Sequence, residues 1–383
     1  MSSFKSTILF LHRWLGFISG LVVFVVSLSG CIYCFQDELQ DVLYSYRKVE
    51  IVNAPVLKPS EFQKRAQDVY PQDKINSVLY FGNDRSVQVR ITYKKVLRSL
   101  FFNPYNGKLL ADQDFKNTFF NRVKSIHLYC FMPPALGKMV VGVSVILFVI
   151  IMISGIILWW PKRKSDRKRS FTIKWKGKWR RVNYDLHNVL GFYACAFALV
   201  TALSGLSMSF DWFGDSIAKV ANFGKTYPLE TKKFKSDTLY IDSVAKAIPV
   251  IDNAYQLVRQ RSPQAQMLIL IPGPKKSSTL AITAYPKALN FRFNDGYTFD
   301  KYNGKLLRYL PNSQKSVGMK FSNMNYDIHV GQLLGLFGKM ITFLTGLICA
   351  SLPITGLIVY LGKKKKSKSR KIKHAITFKQ RLA

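Results

Sequence analysis

Four of the five histidines in this 383-residue chain form two matched pairs, His12 with His187 and His127 with His329; His374 stands alone in a basic tail. The matching lies in the surrounding sequence. His12 begins H-R-W-L-G-F and His187 begins H-N-V-L-G-F, while His127 and His329 each precede a Gly-Lys-Met and then a Ser/Thr-Gly pair. A zinc site wants three or four nitrogen or sulfur ligands converging at one point, and each pair offers two. Two imidazoles on opposite sides of an iron suit six-coordinate haem, whose potential follows from axial ligand, hydrogen bonding and burial. Bare iron or copper on two histidines would leave its other positions without a nearby Asp, Glu or Met set. The expected cofactor is therefore haem with bis-histidine ligation, the iron held by His12/His187, by His127/His329, or by both pairs.

Glycines accompany the histidines. Eighteen residues separate His12 from Gly30 and His187 from Gly205, which is five helical turns and a rise of roughly 27 Å. Each histidine then shares a helix face with a glycine at the opposite membrane surface. Gly155 and Gly356 fall at the depth of His12 and His187. Each layer would combine two imidazoles from one helix pair with two side-chain-free positions from the other, giving room for a flat macrocycle or simply a closer helix approach. Lys138 and Lys339 follow the outer histidines by eleven and ten residues and are candidates for haem propionates or, by snorkelling, for lipid headgroups. Arg13 is a further cofactor-binding candidate. Asp185 and Asp327, in NYDLH and NYDIH, read as helix N-caps.

The elements that must position these residues are membrane helices. The chain is 48% hydrophobic yet 20% charged, with a mean hydropathy of +0.05, so the two populations are segregated. Leu15–Phe35, Met139–Trp160, Val189–Phe210 and Ile341–Leu361 are each long and apolar enough to span a bilayer. The net charge of +36 is concentrated: eleven Lys/Arg against one Asp in Pro161–Arg181, and ten against no acid in Gly362–Ala383. Short basic segments beside spans are cytoplasmic by the positive-inside rule and touch anionic lipid, so nucleic acid is excluded as a partner. Both termini are then cytoplasmic. Cys31-x-x-Cys34 is a redox candidate, although thiols at this spacing within a helix also simply pack.

The chain reads as two tandem helix–ectodomain–helix repeats, with the ectodomains sharing YNGKLL at Tyr105–Leu110 and Tyr302–Leu307. The expected layout is a first transmembrane helix over 1–35, an ectodomain over 36–126 and a second helix over 127–160. A cytoplasmic loop over 161–186, a third helix over 187–210, a second ectodomain over 211–328, a fourth helix over 329–361 and a tail over 362–383 complete it. Within the ectodomains the pattern predicts a helix capped near Ser60, strands around Ser77–Phe81, Val87–Tyr93 and Leu97–Asn103, helical sequence before Pro263, and strands near Met267–Ile271 and Thr279–Ala284. Each N-G pair is expected to turn a hairpin.

H-R-W-L-G-F at His12, D-L-H-x-x-L-G-F at Asp185, the two Gly-Lys-Met segments and the paired YNGKLL hairpins together resemble the PepSY-associated transmembrane family, which includes haem-containing ferric-siderophore reductases of the bacterial inner membrane. The resemblance covers nearly the whole chain. It implies a membrane all-α four-helix bundle with two periplasmic α+β PepSY-like domains, b-type haems in the bundle, and one-electron reduction of a ferric siderophore or other ferric chelate. Ferrous iron would then be released to components of iron uptake. No G-x-G-x-x-G follows a strand and opens a helix, so the electron donor is expected to be a separate cytoplasmic one or a quinol. Two other classes compete: a PepSY-type adaptor or regulator of a peptidase or receptor, and an iron-chelate transporter, for which the apolar span centres are a poor match.

Overall fold

The computed structural model describes residues 3–71, 74–161, 163–240 and 249–380; the side chains of Tyr240 and of residues 363–380, His374 among them, lie outside that description. The chain divides into a helical unit (Met1–Cys34, Val123–Phe210, Ile328–Ala383) and a sheet unit (Phe35–Arg122, Asp211–Asp327). Among the described residues four helices, all in the helical unit, are long and apolar enough to cross a membrane: Ser3–Cys34, Pro134–Trp159, Trp179–Ser209 and Gln332–Gly362, here the first to fourth spans. The first and third spans each pack along both the second and the fourth, so first and third face each other diagonally. Small side chains permit the approach. Ala194, Ala198 and Ala202 recur once per turn and are buried, and a Cβ on Gly20 would stand 3.2 Å from that of Pro353.

Two features depart from regular spans beginning at the histidines. His187 lies in a π-helical turn, Leu186–Leu190, whereas His12 lies in unbroken α-helix. His127 and His329 sit not on the second and fourth spans, as the boundaries 127–160 and 329–361 imply, but near the ends of short preceding helices, Phe119–Tyr129 and Val317–His329. Positive φ at Cys130 (48°) and Phe131 (65°) ends the first short helix, before Pro134 opens the span. Gly331 (78°) and Gly335 (61°) serve after the second. Gly137 and Gly338, from the repeated Gly-Lys-Met, lie so close to the backbone of Tyr129 and Gly331 that a Cβ would overlap it. The repeated glycine thus lets the chain after each outer histidine turn tightly onto the start of its span.

The described residues of the sheet unit form one antiparallel sheet of eight strands: β1 (Lys74–Tyr80), β2 (Val87–Tyr93), β3 (Val96–Phe102), β4 (Leu109–Asp114), β5 (Met267–Pro272), β6 (Leu280–Tyr285), β7 (Asp295–Phe299) and β8 (Leu306–Leu310), in the order β4-β3-β2-β1-β5-β6-β7-β8. The two ectodomains expected over 36–126 and 211–328 are therefore a single unit. Its seam is the β1–β5 pair, with Val78 opposite Leu270 and Tyr80 opposite Leu268. Two separate four-stranded sheets would each expose one of these apolar edges, and pairing them removes both. The helices Pro59–Val69 and Val250–Arg261 add Phe62, Ala66, Ile251 and Val258 to a core with Val78, Tyr80, Leu268 and Leu270. Asp252 accepts from the Ser60 backbone N–H at 2.9 Å and its hydroxyl at 2.6 Å. Both N-G turns form, with φ of +69° at Gly107 and +72° at Gly304. Asn103 Oδ1 and Asp300 Oδ1 each accept two turn N–H groups there.

Candidate functional site

The imidazoles of the helical unit are fixed by hydrogen bonds that decide which nitrogen is free. Nδ1 of His12 lies 2.9 Å from Ser154 Oγ, and Nδ1 of His187 lies 2.9 Å from Thr355 Oγ1. Each hydroxyl already donates to a carbonyl one turn back, Ser154 to Ile151 and Thr355 to Ser351 and Leu352, so its one proton is committed and it accepts from the ring. Nδ1 of His127 donates to the Val26 carbonyl at 2.9 Å and Nδ1 of His329 to the Thr201 carbonyl at 3.0 Å. Ser29 Oγ (3.5 Å) and Ser204 Oγ (3.0 Å) stand beside these bonds. All four rings therefore carry their proton on Nδ1 and keep the Nε2 lone pair for a ligand role.

Diagonal placement brings the rings together in pairs. The centroids of His12 and His187 are 6.4 Å apart with planes at 90°, and those of His127 and His329 are 6.0 Å apart at 68°. Metal–nitrogen bonds of about 2 Å, with each ring centre ~1.2 Å farther back, place two imidazoles sharing one metal roughly 6 Å apart. Among the described residues no three His, Cys, Asp or Glu side chains converge as a metal group, so the donor set is two nitrogens per layer, as haem iron requires of the protein. The glycines pair across the bundle. A Cβ would lie 3.0 Å from His127 Cε1 on Gly30, 3.1 Å from His329 Cε1 on Gly205, 3.3 Å from His12 Cε1 on Gly155 and 3.1 Å from His187 Cε1 on Gly356. Their space is taken by the imidazole edges. The residues present thus fit haem through ligand type, ring spacing and the free nitrogen.

The remaining candidates separate. Arg13 packs over Phe10, Trp14 and Tyr360 at 5.8, 5.8 and 5.3 Å, with its Nε buried and unbonded. Lys138 and Lys339 are not equivalent, because Lys138 is exposed and Lys339 is buried at 4% exposure. Cys31 bonds to the Phe343 carbonyl at 3.4 Å and Cys34 to the Val330 carbonyl at 3.2 Å, and both thiols are buried. Asp185 precedes the π turn without a side-chain cap bond to it, and Asp327 lies within a helix and not at its start. Asp185 ends the helix Trp179–Asp185 and accepts from Arg181 at 2.7 Å, and Asp327 lies inside Val317–His329 and accepts from the Phe291 N–H at 3.0 Å.

Sequence reasoning missed the hydroxyls. Ser29, Ser154, Ser204 and Thr355 each immediately precede one of the four glycines, and that Ser/Thr-Gly pair in every span was the available signal. With this geometry in place, a sequence model of the PepSY-associated TM region matches residues 9–363. No curated protein sequence matches the chain. Four apolar spans and this match over nearly the full length make it a multi-pass membrane protein, and the chain belongs to the PepSY-associated transmembrane family.

Proposed function

We propose that this chain is a haem-bearing oxidoreductase of the bacterial inner membrane that carries electrons across the bilayer to a ferric siderophore or other ferric chelate in the periplasm. One electron from a cytoplasmic or quinol donor reduces one Fe(III) of the chelate to Fe(II), which leaves its hard oxygen ligands for components of iron uptake. The observation that carries this reading is the pair of histidine pairs, each about 6 Å between ring centres and each with Nδ1 bonded to oxygen. When bound, haem supplies a reversible one-electron Fe(III)/Fe(II) change. His12 with His187 and His127 with His329 would hold two such groups. The Ser/Thr-Gly pairs orient the rings, Arg13 offers a propionate its free N–H, and the apolar span interiors exclude water. The matched motifs support a tandem duplication, and the basic segments after the second and fourth spans support cytoplasmic termini.

The experiment is purification in detergent followed by a reduced-minus-oxidised spectrum and addition of ferric citrate or a ferric hydroxamate to the reduced protein. A split-Soret b-type difference spectrum that collapses on mixing, with Fe(II) trapped by a ferrous chelator, is expected. A spectrum without haem bands removes the proposal, and haem bands indifferent to ferric chelate remove its substrate.

A further inference from the structure

The two imidazole pairs differ in what holds them. His12 and His187 bond at 2.9 Å to the side-chain hydroxyls of Ser154 and Thr355, whereas His127 and His329 bond at 2.9 and 3.0 Å to the backbone carbonyls of Val26 and Thr201, contacts shared with the Ser29 hydroxyl at 3.5 Å and the Ser204 hydroxyl at 3.0 Å. A helix carbonyl is fixed by the main chain and survives any substitution; a hydroxyl turns on its Cβ and is lost with one. We propose that Ser154 and Thr355 are positioning residues that set the basicity and ring orientation of the His12/His187 ligands independently of the other pair, so that the two haems titrate at separate potentials. This rests on the haem reading above.

A hydrogen bond from Nδ1–H raises the donor strength of Nε2 and thereby favours the ferric ion. Ser154 and Thr355 are suited to receive that bond, because each hydroxyl donates in turn to a carbonyl one turn back, which polarises its oxygen. Thr355 is braced further: the buried Asn183 side chain donates to its carbonyl at 3.0 Å. Backbone carbonyls of Ile151 and Leu352 lie close to the same two rings. Without the hydroxyl, Nδ1–H keeps only that carbonyl, so Nε2 loses part of its donor strength and the ring loses one of its two anchors. In the other pair the carbonyl bonds at 2.9 and 3.0 Å are at least as short as the hydroxyl contacts of Ser29 at 3.5 Å and Ser204 at 3.0 Å, so losing those hydroxyls leaves the main acceptor in place.

The test uses the full chain with its haem, titrated potentiometrically and examined by ferric EPR, in wild type, Ser154→Ala with Thr355→Val, Ser29→Ala with Ser204→Ala, and Thr355→Ser. In the first variant one of two titrating components is expected to rise in potential, to change its low-spin g values and to lose haem about tenfold more readily, while the other component stays. Thr355→Ser, which keeps the hydroxyl, should titrate as wild type, and the Ser29/Ser204 variant should move the opposite component by less. If the double variant does not assemble, Ser154→Ala and Thr355→Val singly carry the same expectation at smaller size. Both components moving together, or neither, overturns the inference while the haem reading stands. A wild-type protein without haem overturns both.

Discussion

The two imidazole layers share ring spacing, tautomer and a glycine neighbour, yet differ in how hydroxyl and carbonyl oxygens share Nδ1–H. In each case the ring docks on a notch built from three consecutive features of a neighbouring span: a carbonyl, a Ser or Thr three residues later, and the glycine that follows. Val26-Ser29-Gly30 and Thr201-Ser204-Gly205 present the carbonyl to His127 and His329, with the Ser204 hydroxyl equally close to His329, whereas Ile151-Ser154-Gly155 and Leu352-Thr355-Gly356 present the hydroxyl to His12 and His187 at 2.9 Å. One local design therefore yields two supports, and which oxygen is used depends on where the incoming ring arrives. His127 and His329 arrive from short helices folded back over tight turns; His12 and His187 arrive from the spans themselves.

The largest test of this contrast removes one layer at a time. His12→Ala with His187→Ala, and His127→Ala with His329→Ala, should each halve the haem content and leave a single titrating component, a different one in each variant. Next come the turn glycines. Gly137→Ala and Gly338→Ala put a methyl group into backbone and should cost about 3 kcal/mol or more; they should release haem from the His127/His329 layer first, as read by haem retention on heating. Alanine at the notch glycines sharpens the comparison. Gly30→Ala would meet His127 at 3.0 Å and Gly155→Ala would meet His12 at 3.3 Å, so the former should weaken haem binding several-fold more than the latter in competition with apomyoglobin. Asn183→Ala is the smallest, losing one bond to the Thr355 carbonyl for about 1 kcal/mol of thermal stability and touching one layer only.

Much of the helical unit was legible because lipid imposes long apolar runs. Histidines and glycines eighteen residues apart on one helix were therefore visible as a pattern. The hydroxyl beside each glycine was hidden by its ordinariness, since a Ser or Thr in a span bonds back to its own helix, and only the neighbouring ring shows that it also accepts. The π turn at Leu186–Leu190 was hidden by its near-identity to the unbroken helix around His12. In the sheet unit, β2 and the N-G turns followed from alternation and turn chemistry. β7 did not, because Asp295-Gly296 weakens its strand character. Nor did the β1–β5 seam, since the partner of an edge strand is not written in that strand's own pattern.

The most direct measurement is haem per chain in the purified protein, beside a variant with His12, His127, His187 and His329 all replaced by alanine. Two b-type haems per chain in the first and none in the second are expected. A haem-free wild type, or a variant that keeps its haem, would contradict the paired-imidazole account.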